Sequence, residues 1–158
     1  MVDTSRTFRK PALRLSFFYL HCNDVVAMRG FYVDLLGMKI VSFVDSAQVG
    51  WLALDGGGVQ LMFFRAPAPL PVRETWAVQP GWDGGTECSF SWSLSVPELD
   101  FAGTVERLRA ASVPQFHPRP IWCQDSYWGF PVRDPMGNTV EVFLTPYARP
   151  EDTTWPGK

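Results

Sequence analysis

Very few side chains in this sequence can carry chemistry, because it holds only two histidines and three cysteines among 158 residues. One carboxylate is placed where a strand should run. In the stretch Trp128-Gly-Phe-Pro-Val-Arg-Asp134-Pro135-Met-Gly137-Asn138-Thr-Val-Glu141-Val-Phe143, Glu141 alternates with valines. Thr139, Glu141 and Phe143 share one strand face, and Val140, Val142 and Leu144 share the other. Asp134-Pro135 opens the turn before it, and Gly137-Asn138 supplies residues that tolerate positive φ. A half-buried Glu141 has three readings. Against a cationic ligand group it stays ionised and makes charge-assisted hydrogen bonds. Without a partner its pKa rises and it can act as a general base. Alternatively Gln60, serine hydroxyls or Arg133 satisfy it.

The other chemistry-bearing residues point less sharply. His21 lies at the end of an apolar run beside Asp24, where it either packs at a cavity rim and bonds a backbone carbonyl or serves as a ligand. His117, between Phe116 and Pro118, reads as structural or rim-exposed, with an acid–base role as the alternative. Cys22 beside His21 is the one candidate for an activated thiol. There is no Gly-x-Ser-x-Gly elbow for serine chemistry. Asp55-Gly-Gly-Gly58 is a hairpin turn rather than a phosphate loop, since no helix and no Lys-Ser/Thr follow it. Arg107 and Arg109 read as the solvated face of a helix.

Two sets of elements position these residues. The apolar run that ends at Leu20-His21-Cys22-Asn23-Asp24 reads as a strand with His21 near its end, and Asp24 caps a helix whose apolar residues Val25, Met28, Phe31, Tyr32, Leu35 and Leu36 recur at helical spacing, with Gly37 as its stop. Strands follow at Met38–Val44, Gly50–Leu54 and Val59–Phe64. The second half repeats the order, with a strand from Ser89 to Val96, a helix from Glu98 to Ala111 stopped by Pro114, and strands near Gln115–Pro118, Tyr127–Val132 and Thr139–Leu144. The expectation is an α+β fold of two tandem βαβββ modules: an N-terminal arm over 1–12, a first module over 13–65, a linker over 66–86 partly ordered by Trp76 and Trp82, a second module over 87–146 and a tail over 147–158.

Composition narrows the partners. A net charge of −2 argues against nucleic acid, which needs a basic surface. No apolar run approaches the roughly 18 residues of a membrane span, and no signal peptide is visible. Cys22, Cys88 and Cys123 lack metal spacing and read as reduced thiols, so a cytoplasmic protein is expected.

The chain resembles the vicinal oxygen chelate superfamily, also called the glyoxalase and bleomycin-resistance family. The resemblance is carried by Asp24 with Phe31-Tyr32-Val-Asp-Leu-Leu36-Gly37, and by Leu94-Ser-Val96, the second helix and Asp134-Pro135-Met-Gly137-Asn138 through Glu141, over roughly residues 13 to 146. It implies paired βαβββ modules curled into an incomplete barrel around a central cavity. It further implies four metal-ligand positions, which fall here on Phe17, Gln60, Ser91 and Glu141. That set is too poor in donors for zinc, nickel or iron, so no cofactor is expected. A divalent metal held by His21 and Glu141 is the alternative.

The inward faces would then carry Phe17, Tyr19 and His21, Gln60, Met62 and Phe64, Ser91, Ser93 and Ser95, and Thr139, Glu141 and Phe143. Trp51, Trp122 and Trp128 are either stacking surfaces at the mouth or core and dimer residues. Such a lining suits a mid-sized, partly aromatic small molecule. The reading is a metal-free binding protein resembling the bleomycin-resistance members. The alternatives are a metal-dependent glyoxalase-like lyase, isomerase or ring-cleaving dioxygenase, and a metal-free enzyme using Glu141 or His117. The resemblance also implies a homodimer, with a linker long enough to allow swapped modules.

Overall fold

A computed structural model describes residues 14–78, 84–86 and 90–157. The arm over 1–12, Trp82, Cys88 and Ser89 lie outside those residues. The first module runs β1 (Phe17–Cys22), α1 (Val25–Arg29), a π-helical turn (Gly30–Leu35), β2 (Lys39–Asp45), β3 (Gly50–Asp55) and β4 (Gln60–Arg65). The second runs β5 (Ser91–Ser95), α2 (Glu98–Ala110), β6 (Ile121–Cys123), β7 (Tyr127–Arg133) and β8 (Thr139–Leu144). Each forms a mixed four-stranded sheet, in the orders β1-β4-β3-β2 and β5-β8-β7-β6. In both sheets the first strand lies parallel to the last, and the remaining pairs are antiparallel.

The parallel pairing sets which side chains meet. Phe17, Tyr19 and His21 stand beside Gln60, Met62 and Phe64. Ser91, Ser93 and Ser95 stand beside Thr139, Glu141 and Phe143. The opposite faces are apolar and pack under the helices, where Leu52, Leu54 and Phe63 join Phe130, Val140 and Val142 in one continuous cluster across both modules. Burial of each such side chain contributes about 2 kcal/mol. Tyr32 sits at the junction, its ring 5.0 Å from Phe63 and 6.4 Å from Trp92. Its hydroxyl donates to Asp134 Oδ2 at 2.9 Å.

Three local features differ from the sequence expectation. The first helix is not α throughout: Asp24 caps α1 by accepting from the Val26 and Ala27 N–H groups, but Leu36 N–H then bonds Phe31 C=O, a five-residue step that widens the turn. Adjacent Phe31 and Tyr32 both end up buried there. The expected strand near Gln115–Pro118 is a single bridge from Gln115 to Val132, and the edge strand is β6 instead. Pro114, Pro118 and Pro120 remove the donors that a ladder along that segment would use.

The linker is also more than a spacer. Leu70 N–H and C=O bond the Asn23 side chain, Arg73 N–H bonds Met136 C=O, and Ala77 N–H bonds Thr139 Oγ1. Arg133 donates to Glu74 C=O and lies over the Trp76 ring. Residues 70–77 thus form a strap tied to the turn before β8. Gly137 admits the strap: its φ is +76°, and a Cβ there would stand 2.0 Å from the Arg73 carbonyl oxygen. Among the described residues, no helix is long and apolar enough to cross a membrane.

Candidate functional site

The outward face of the first sheet makes an aromatic cup. Phe17, Tyr19 and His21 from β1, Met62 and Phe64 from β4, and Trp51 from β3 enclose about 500 Å³. Phe64 is the hub, with Trp51 at 4.2 Å, Tyr19 at 5.6 Å and His21 at 6.2 Å between ring centroids. Phe17 is 51% exposed and Tyr19 58%. Contiguous exposed rings of this kind mark a candidate binding surface. Gln60 shares this face by register with Phe17 but does not line the cup. Every residue of its wall belongs to the first module.

The matching face of the second sheet is built around Glu141, which is only 5% exposed. Ser93 Oγ donates to its Oε2 at 2.9 Å, and the Tyr127 hydroxyl donates to its Oε1 at 3.1 Å. Gly129 makes room for it, since a Cβ there would stand 2.9 Å from Oε1 and 3.2 Å from Cys123 Sγ. Burial pushes the Glu141 carboxyl above its ordinary value, and the Ser93 and Tyr127 donors pull it part of the way back. Burial and then the Glu141 charge raise the Tyr127 phenol. Burial pushes the Cys123 thiol up to about 11. Both therefore keep their protons at neutral pH.

Of the partners expected for Glu141, a serine hydroxyl is the one present. Arg133 is engaged by the strap instead. Tyr127 was not legible as a partner, although it lies on the same face of the adjacent strand β7. The signal for it was Gly129, an isolated glycine inside a strand, which marks close approach of another group. Ser91 is half-buried beside Thr139, whose hydroxyl is taken by the strap, while Ser95 is exposed beside Phe143.

Trp128 does not join either face. It is 4% exposed on the helix side of β7, opposite Leu144, with Trp122 at 5.2 Å and Trp155 of the tail at 5.1 Å. Period-two alternation puts it one residue out of phase with Tyr127 and Gly129, so it is a core residue. Trp122 packs with it, and its indole N–H donates to Asp125. His117 stacks edge-on against Phe116 at 4.6 Å and is not among the residues that line the cup. Burial pushes the Cys22 thiol up to about 11, the reverse of what a nucleophile needs.

The donor set for a divalent ion is thin. The four positions that would hold one carry an aromatic ring, an amide, a hydroxyl and a single carboxylate, and among the described residues no three His, Cys, Asp or Glu side chains converge. These residues do not fit a metal that asks for three or more strong donors.

Paired βαβββ sheets with one open and one carboxylate-bearing face define a two-module class of protein. The family model described as the glyoxalase/bleomycin resistance protein/dioxygenase superfamily matches residues 14–142, and the chain belongs to that superfamily. Among solved structures it is similar to a lactoylglutathione lyase from Agrobacterium tumefaciens, at 23% identity and a TM-score of 0.53, covering 85% of this chain and 96% of that one. It is similar to a glyoxalase/dioxygenase from Nostoc punctiforme at 18% identity and a TM-score of 0.62, covering 84% and 91%. It is also similar to the oxidase ChaP-H2 at 21% identity and a TM-score of 0.58, covering 87% and 98%. At these identities the likeness concerns the fold. No curated protein matches the chain.

Proposed function

We propose that this protein binds a mid-sized, partly aromatic small molecule against the cup formed by Phe17, Tyr19, His21, Trp51, Met62 and Phe64, without a metal. The observation that carries the reading is the open aromatic cup of about 500 Å³, a size and lining typical of small-molecule sites. The poor donor set at Phe17, Gln60, Ser91 and Glu141 supports the metal-free part. Drug or natural-product sequestration is the role that suits such a site. The protein acts as a homodimer, in which the Glu141 face of one copy covers the aromatic cup of the other. Support for that pairing comes from the exposure of Phe17 and Tyr19 and from the confinement of the cup's wall to one module.

The test is quenching of Trp51 fluorescence by a panel of aromatic compounds, with the Trp51→Phe variant as control. Saturable quenching lost in that variant supports binding in the cup. A flat response across the panel, in a protein that sediments as a folded dimer, overturns it. A second reading rests on Glu141 itself. A carboxyl raised by burial, with two donors and no cation among the described residues, has the properties of a general base. Turnover lost in Glu141→Gln while ligand binding persists distinguishes a metal-free enzyme from a sequestering protein.

A further inference from the structure

Two cavities in this molecule share a wall. Tyr19 and His21 line the aromatic cup and also a second cleft of about 510 Å³. The strap residues Leu70 to Arg73 close the far side of that cleft, and Met136 and Asn138 complete it. The two spaces differ in character. The cup is lined by aromatic rings and a methionine, whereas the cleft contains an arginine and no carboxylate.

Arg73 is held by its backbone, and its exposed side chain borders clefts on both sides of the strap. Its N–H bonds Met136 C=O at 3.0 Å and its own carbonyl accepts from Arg133, so the strap fixes its backbone. Among the described residues, nothing accepts a hydrogen bond from its guanidinium. Arg65 and Arg149, by contrast, each pair with an aspartate, and Arg133 holds the Glu74 carbonyl. Among the described residues, the His21 ring makes ring contacts with Tyr19 and Phe64. A guanidinium is always charged, and its planar fork matches the oxygens of a carboxylate, sulfonate or phosphate. An arginine that borders a cleft beside an aromatic cup, with no hydrogen-bonded acceptor among the described residues, favours an anion joined to a ring, although the same residue also borders a cleft holding Glu74 and Asp134.

We infer that the ligand is an aromatic acid, with its ring system against Phe64 and Trp51 and its anionic substituent extending past Tyr19 and His21 to Arg73. This assignment rests on the reading of the cup as the ligand site and names the class of compound it takes. It also runs against a cationic ligand, which Arg73 would repel.

The experiment uses two probes that share an aromatic skeleton and differ in charge: 8-anilino-1-naphthalenesulfonate and uncharged N-phenyl-1-naphthylamine. Both are titrated into the full chain and followed by their own fluorescence. The expected result is saturable binding of both, with the sulfonate about tenfold tighter, the size of one charge-assisted hydrogen bond. Arg73→Gln should remove that advantage and leave the uncharged probe unchanged, and Arg73→Glu should weaken the sulfonate further. Phe64→Ala should weaken both probes. Because the Arg73 side chain holds no described group, the thermal midpoint of Arg73→Gln should match the wild type. Equal affinity for the two probes, insensitive to Arg73→Gln, overturns the acid assignment while leaving the cup intact. Failure of both probes to bind overturns the cup reading itself.

Discussion

The two modules share a topology and a helix-facing core, yet their outward sheet faces have opposite characters. In the first, β1 and β4 present Phe17, Tyr19, Met62 and Phe64 on the outer face, and the Phe17 and Tyr19 rings stay exposed. In the second, β5 and β8 present serines, Thr139 and Glu141, and the carboxylate is sealed by Ser93, Tyr127 and the gap above Gly129. One fold has thus been given a face that lacks a cover and a face that encloses a charge. The lesson is that the helix side of each sheet holds the architecture, while the opposite side is free to specialise.

The comparison breaks most severely where the shared architecture is tied. Asp134 is 4% exposed and accepts from the Tyr32 hydroxyl, from the Met136 and Asn138 N–H groups and from the Asn138 amide. Burial raises its carboxyl above the ordinary value, and these donors oppose the rise. Asp134→Ala leaves several buried donors unpaired and should cost about 3 kcal/mol or more in a denaturant melt. Tyr32→Phe removes one of those bonds and should cost about 1 kcal/mol.

A second way to break the comparison acts on the enclosed face alone. Gly129→Ala forces Glu141 or Cys123 aside and should destabilise by about 2 kcal/mol, as overpacking does. The open face should answer differently. Phe64→Ala removes the hub of the cup from a half-exposed site, so ligand affinity should fall about tenfold or more while stability changes by about 1 kcal/mol. Calorimetric titration and thermal melts on the same preparation separate the two effects.

The smallest expected effect sharpens the contrast by pH. Glu141 has a folded-state pKa raised above its unfolded one, so the native state binds that proton more tightly. Its contribution is therefore fully present below the ordinary carboxylate range and is lost as pH rises through the raised value. Glu141→Gln removes the burial penalty. The variant should equal or exceed the wild type by about 1 kcal/mol at neutral pH, with the difference closing on acidification. Urea melts across that range check it, and a variant that loses stability at neutral pH contradicts the account.

Much of this was legible from period. The two-residue period of a strand puts Phe17, Tyr19 and His21 on one face and Thr139, Glu141 and Phe143 on another, as the register has them, and Asp24 caps α1 as its side chain allows. The π-helical turn was not legible, because Phe31 and Tyr32 satisfy a 3.6-residue stripe and only packing against both modules widens the turn. The edge strand β6 was missed because three prolines surround a segment whose apolar residues resemble a strand. Of the two readings open for Trp128, stacking at the mouth or packing in the core, its parity with Phe130 and Val132 decides for the core. Tyr127 was hidden because its partnership with Glu141 crosses between strands, so that Gly129 marks a close approach there but register is needed to name the partner.

The measurement that tests the central claim most directly is metal content of the purified protein by elemental analysis, repeated after reconstitution with zinc, nickel, iron and manganese. A site assembled from an aromatic cup and one enclosed carboxylate predicts no stoichiometric uptake of any of them and unchanged affinity for aromatic ligands after chelation. Near one equivalent per chain, lost in Glu141→Ala, would contradict it and make Glu141 a ligand in metal-dependent chemistry.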